Sequence, residues 1–336
     1  MPLDQYGGTM TSPGVADYAD FLPASWQDRV DLEPTSMRWD WRGHDVHMLR
    51  RQNPDAPVRV LLIHGAGGHS AALWPIASLL PEREVELAAV DLPLFGETRS
   101  PDPSAVRYQD WVSLLCDVVA SEDDGRPLVL LGASIGGMLA YEVAARTGRA
   151  AAVVATSLLD PCDPRARAVI TRFGPLGLLG GLLARLLPQR FAGRRIPMSK
   201  VAALSKMSRD PGLSRLCATD PRGGGATIPL GFLTSYLTYR HTPPERMTTP
   251  VTLAHPAKDT WTPVEISTRW LSRIAAPAEL VMLRECGHFP IEDPGLQDLV
   301  GAIGRVTRQV QKGSDRAGET EEETEKVTEK ERHHGR

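Results

Sequence analysis

The chain has 336 residues, enough for one large domain or two small ones around a substantial core. Hydrophobic residues make up 42% and charged residues 24%, an ordinary balance for a globular protein. Its 38 basic and 41 acidic residues leave a net charge of -3, which excludes an overall field favouring nucleic acid or an anionic membrane.

Cys116, Cys162, Cys217 and Cys286 show neither a CxxC pair nor metal-ligand spacing, which argues against a zinc site and against a disulfide scaffold. The start of the chain lacks a basic segment followed by an apolar run, so no secretory signal is expected. No stretch reaches the roughly 18 apolar residues of a membrane span. A soluble, cytoplasmic protein is the expectation.

Residues 1–35 are rich in Pro, Asp and Gly without a period and read as an irregular lead-in. Residues 37–41 and 46–49 flank Gly43-His44 and predict a β-hairpin. The run 58–63, apolar and branched apart from Arg59, predicts a strand buried on both faces. A glycine cluster follows, then a helix over about 70–80 and a strand over 85–90. A helix is expected over about 108–120, a buried strand over 127–131, a helix over 135–146 and a strand over 151–156. This alternation predicts an α/β fold, a mainly parallel sheet covered by helices.

The alternation stops at residue 160 and resumes near 246, with strands over 251–254 and 279–283 and helices over 264–274 and 292 to about 310. The core is therefore expected over 36–159 and 246–311, with 160–245 inserted as a helical cap. From 312 to 336 almost no apolar side chain occurs, and this charged tail is expected to be disordered.

Gly132-Ala133-Ser134-Ile135-Gly136-Gly137 follows a predicted buried strand and opens a predicted helix. G-x-S-x-G in that setting is a nucleophile elbow, which lifts a serine hydroxyl above the sheet. Glycines two residues on either side let strand and helix pass without Cβ clashes. The hydroxyl needs a base. His288 lies just after the last predicted strand, at the sheet edge where Ser134 also lies, because parallel strands share their C-terminal ends. The imidazole in turn needs an acid. Asp259 follows the preceding strand and is favoured; Asp160, after the strand 151–156, is the competitor, and it reads equally as a turn residue before Pro161. Backbone N–H groups of Ala66 and Ile135, with Gly67 next, are candidates for an oxyanion hole, and His64 is expected to orient that loop.

A dinucleotide reading competes. Gly65-Ala66-Gly67-Gly68-His69-Ser70 lies between a strand and a helix, with Asp91 ending the next strand. Ser70 stands where the third glycine belongs, and that reading leaves Ser134, Asp259 and His288 unexplained.

Together these residues resemble the α/β-hydrolase superfamily of serine esterases and lipases over roughly residues 36–311, most closely the lysophospholipase and monoacylglycerol-lipase-like branch. The order Ser134, Asp259, His288 is the order that topology requires. The resemblance implies a Ser–His–Asp triad on those residues, no cofactor and no metal. It implies a small-molecule ester as substrate, cleaved through an acyl-serine. A thioesterase, lactonase, acyltransferase or cofactor-free peroxidase would use the same parts, and a non-catalytic small-ligand binder is the reading from another class. One departure is Leu94, in Asp91-Leu92-Pro93-Leu94-Phe95-Gly96, where the family often has glycine. Within the insertion, the apolar run 173–187 reads as a packed cap helix, an acyl-chain wall or a surface for transient lipid contact. Gly223-Gly224-Gly225 reads as a lid hinge or a loop.

Overall fold

A computed structural model describes residues 12–170 and 189–334. Ten strands are present among them: β1 (Thr35–Trp41), β2 (His44–Arg51), β3 (Val58–Ile63), β4 (Val85–Val90), β5 (Leu128–Gly132), β6 (Ala150–Ala155), β7 (Arg195–Pro197), β8 (Thr227–Pro229), β9 (Val251–Pro256) and β10 (Ala278–Leu283). Eight of them form one sheet in the order β1-β2-β4-β3-β5-β6-β9-β10. β2 pairs antiparallel with β1 and β4, and the remaining pairs are parallel. Every residue of β3, β5 and β9 is buried, which explains why these strands read as mainly apolar runs, broken by Arg59 in β3 and by Thr252 and His255 in β9, rather than alternating ones.

Strand order locates the site. The chain passes from β3 outward to β4, then returns to the other side of β3 as β5. At such a reversal the loops leaving the two neighbouring strands diverge and open a crevice at their C-terminal ends. Ile63 and Gly132 are partners in the β3–β5 register, so the glycine loop after β3 and the serine turn after β5 emerge side by side.

Three segments differ from the sequence expectation. The lead-in carries two short helices, Val15–Ala19 and Ala24–Gln27, and buries Tyr18. Each is too short for a hydrophobic period to register. The insertion between β6 and β9 is not purely helical: β7 and β8 pair antiparallel, and strands of three residues leave no alternation to read. The last helix, Gly295–His334, continues past the point where disorder was expected. Its distal part is rich in Glu, Lys and Arg, good helix formers with opposite charges four apart, such as Glu322 and Lys326. Low hydrophobicity removes a packing face without removing that local preference. The apolar run 173–187 lies outside the described residues. Among the described residues no helix is long and apolar enough to cross a membrane.

Candidate active site

Ser134 sits between the end of β5 and the helix Ile135–Thr147 with φ 54° and ψ −124°. A residue with a Cβ pays roughly 1–3 kcal/mol for such a backbone, so the surroundings must impose it. A Cβ on Gly132 would meet the Gly136 backbone, and one on Gly136 would meet the Ile63 carbonyl oxygen. The turn is pinned as well: the Ala133 N–H donates to the Ile63 carbonyl at 2.9 Å and the Ser134 N–H to Thr156 Oγ1 at 2.9 Å.

His288 lies in the loop after β10 and Asp259 in the loop after β9. His288 Nδ1 is 2.7 Å from Asp259 Oδ2, and both side chains are buried. Asp259 is held locally, accepting N–H bonds from Trp261 at 2.7 Å and Thr262 at 2.9 Å, and the Thr262 hydroxyl donates to its other oxygen. Burial alone would raise the Asp259 carboxyl. The bond from His288, the charge of that imidazole and the Thr262 donors outweigh it and bring the carboxyl down to about 2. The indole of Trp261 lies 4.8 Å from the His288 ring. The Phe289 N–H donates to the Met207 carbonyl at 2.7 Å, tying this loop to the insertion. His288 Nε2, the nitrogen turned away from Asp259, is buried with no partner among the described residues. Ser134 and His288 line one cavity.

The loop after β3 forms the facing wall. A Cβ on Gly65 would stand 2.9 Å from Ser134 Cβ, so only glycine lets this loop lie against the serine turn. His64 is buried; the Leu92 N–H donates to its Nε2 at 3.0 Å, which leaves Nδ1 as the donor to the Gly65 carbonyl at 2.7 Å. Burial lowers this imidazole to about 4, so it is neutral and orients the loop. Ala66 and Ile135 line a second cavity that Ser134 also borders and that His288 does not, and neither backbone N–H has a protein acceptor among the described residues.

Several residues at the site carry no motif. Tyr18 and His69 both bond Asp220, which joins the lead-in, the glycine loop and the insertion. A Cβ on Gly223 would stand 2.7 Å from the Gly67 carbonyl oxygen, and Gly224 packs on Gly67. The Gly223–Gly225 stretch thus makes a tight contact on the glycine loop. Trp261 and Thr262 had one legible signal, an Asp followed at two and three positions by residues whose N–H groups it can cap. Tyr18 and Asp220 had none.

The candidate carboxylates occupy different surroundings. Asp160 approaches His241, at 3.8 Å, while His288 is bonded to Asp259. Asp91 is buried and committed to protein donors: His47 Nδ1 at 2.7 Å, the Ser70 N–H at 2.6 Å and the Glu97 N–H at 2.8 Å. Its burial leaves it closed to a ribose. Leu94 takes φ 86°, a left-handed conformation that glycine would adopt without strain. Among the described residues no three His, Cys, Asp or Glu side chains gather as metal ligands would.

Comparison with known proteins agrees with this architecture. The model of the alpha/beta hydrolase family matches residues 60–297. Human protein phosphatase methylesterase 1 is 28% identical over 151 residues, 43% of this chain and 39% of that protein. The chain thus matches about two fifths of that relative's length. Among solved structures, the Paleococcus ferrophilus monoacylglycerol lipase superposes with a TM-score of 0.62 at 19% identity, covering 80% of this chain and 99% of the other. A soluble variant of the monoglyceride lipase of Saccharomyces cerevisiae gives a TM-score of 0.67 at 16% identity, covering 83% and 97%. With a family match spanning most of the chain and this fold beneath it, the protein belongs to the alpha/beta hydrolase family.

Proposed function

We propose that the chain hydrolyses a carboxylic ester of an apolar acyl group through an acyl-serine on Ser134. In this reading His288 Nε2 takes the hydroxyl proton as Ser134 attacks the carbonyl, then gives it to the leaving alcohol. Asp259 holds the tautomer and stabilises the imidazolium. The Ala66 and Ile135 N–H groups receive the oxyanion, and water activated by His288 then releases the acid. The insertion acts as the cap over the acyl group.

The observation that carries this reading is the pairing of His288 Nδ1 with Asp259 at 2.7 Å, which leaves Nε2 unpartnered in the cavity that Ser134 lines. Apolar lining from the insertion, including Met198, Val201, Ile228 and Phe232, supports an acyl pocket beside the serine. The names of the similar proteins, two lipases and a methylesterase, agree with ester chemistry.

A fluorophosphonate probe tests the reading. It should label the protein, and Ser134→Ala should abolish labelling and lower turnover of p-nitrophenyl esters by at least about 10³-fold. Equal labelling of Ser134→Ala would remove Ser134 from its role. Acetate turning over better than every longer ester would remove the apolar acyl pocket.

A further inference from the structure

The cavity beside Ser134 is apolar on most sides, and the polar groups among its lining residues are nearly all committed. The Trp111 indole donates to the Pro93 carbonyl at 2.9 Å and the Trp261 indole to the Val169 carbonyl at 3.0 Å. Thr262 donates to Asp259, and the Tyr108 hydroxyl is 3.1 Å from His241 Nε2. Tyr236 is different. It lines the cavity, is 3% exposed, and its Oη is buried with no partner among the described residues.

The surroundings of Tyr236 are polar in an organised way. Its ring lies 5.1 Å from that of Tyr108. Beyond Tyr108 stands His241, whose Nδ1 is also buried without a partner, 3.8 Å from Asp160 Oδ1. Asp160 and His241 line a neighbouring depression that shares Leu237 with the cavity and that Ser134 does not line. Asp160 and His241 therefore stand outside the lining of the cavity, and Tyr108 and Tyr236 are the members of the cluster that line it. Burial and then the Asp160 carboxylate push the Tyr236 phenol well above its ordinary range, so the group is a hydrogen-bond donor throughout the neutral range. A buried hydroxyl without a partner is unfavourable, and a phenylalanine would fill the same space without that penalty.

We propose that Tyr236 is a specificity-determining residue whose hydroxyl donates a hydrogen bond to an oxygen on the substrate's acyl chain, so that the preferred esters are oxo- or hydroxy-acyl esters rather than plain hydrocarbon ones. The inference rests on the hydrolase reading for its acyl group, but the Tyr236 contact can be read apart from turnover.

The test compares p-nitrophenyl hexanoate and octanoate with p-nitrophenyl 5-oxohexanoate and 7-oxooctanoate, on the full chain and on Tyr236→Phe. The wild type should favour at least one oxo ester over its plain counterpart by about tenfold in kcat/KM, the size of one net hydrogen bond, and Tyr236→Phe should bring that ratio close to one. Preference for the plain chain at both lengths, or a ratio unmoved in Tyr236→Phe, would overturn the proposal. A second arm measures calorimetric binding of the four free acids to Ser134→Ala with and without Tyr236→Phe. If no ester turns over and no fluorophosphonate adduct forms, the hydrolase reading fails by itself. The binding arm then decides Tyr236: tighter binding of an oxo acid, lost in the phenylalanine variant, supports it, and equal binding overturns it.

Discussion

His69 and Asp220, 151 residues apart, share a 2.6 Å hydrogen bond in which neither side chain is more than 1% exposed. Tyr18 donates to the same carboxylate oxygen at 2.7 Å. Burial would raise the Asp220 carboxyl, but the bond and charge of His69 and the Tyr18 donor bring it below its ordinary value. One carboxylate thus fastens the lead-in and the insertion to the loop that carries Ala66. Removing one partner of a buried pair strands the other, so Asp220→Ala should cost about 3 kcal/mol or more. Tyr18→Phe leaves the pair intact and should cost about 1–2 kcal/mol. Urea unfolding checks the order, and an Asp220→Ala midpoint equal to wild type would show that the clasp bears no weight.

The strained turn at Ser134 makes a stability prediction opposite in sign to its effect on activity. Ser134→Gly should raise stability by about 1 kcal/mol, because glycine takes φ 54° without a Cβ clash. Ser134→Ala keeps the Cβ and should leave the melting temperature nearly unchanged. Calorimetric scans of both variants decide; an unstabilised glycine variant would mean the turn carries little strain.

Asp259 ties stability to pH. Its carboxyl titrates near 2 in the folded chain, below the roughly 3.9 of an unfolded aspartate. A depressed folded pKa contributes stability that is complete above the unfolded value and disappears as pH falls through the folded one. The stability advantage of wild type over Asp259→Asn should therefore be constant between pH 5 and 7 and shrink from about pH 4 down to about pH 2. Unfolding curves at several pH values measure it, and an advantage that grows on acidification would contradict the assignment.

Gly223→Ala should both destabilise and slow the protein. Its Cβ would stand 2.7 Å from the Gly67 carbonyl oxygen, so either the insertion or the glycine loop must shift, at about 1–3 kcal/mol. Gly148→Ala is the contrast, because φ is 62° there but no atom lies within 4 Å of the added Cβ. It should cost about 1 kcal/mol and leave ester turnover at the wild-type level. If Gly223→Ala turns over ester as fast as Gly148→Ala, the contact does not position the loop.

Deleting residues 313–336 should lower far-ultraviolet helical signal while leaving ester turnover within about twofold, since among the positions of the last helix up to residue 316 the final buried one is Thr307. Turnover that collapses in the truncated chain would show that the distal helix supports the site.

The central strands were legible to within one residue, β5 and β6 each lying one position from their predicted runs. β3 and β4 coincide with their predicted runs, and the antiparallel pair β1 and β2 appears where the hairpin was expected. A strand buried on both faces is mostly apolar, so burial is largely written into its composition. The distal helix was missed for a related reason. A hydrophobic-burial criterion registers packing faces, and a composition rich in Glu, Lys and Arg favours a helix without supplying one.

Of the candidate site, the serine turn and the loops holding Asp259 and His288 could be found from sequence because parallel strands deliver their following loops to one edge. That rule names an edge and leaves distances open. Chain order favoured Asp259 over Asp160 without fixing a distance, and the folded chain brings Asp259 to 2.7 Å from His288.

The sequence by itself determined the order of buried strands, the glycine-flanked serine turn and the set of polar residues that could meet it. Those features follow from local sterics and from the burial that each strand must achieve. The tertiary structure decided the partner of His288, the His69–Asp220 clasp, the close seating of Gly223 on Gly67 and the unpartnered hydroxyl of Tyr236. Contacts between residues so far apart depend on how whole elements pack, and packing leaves no period or spacing in the chain from which to read them.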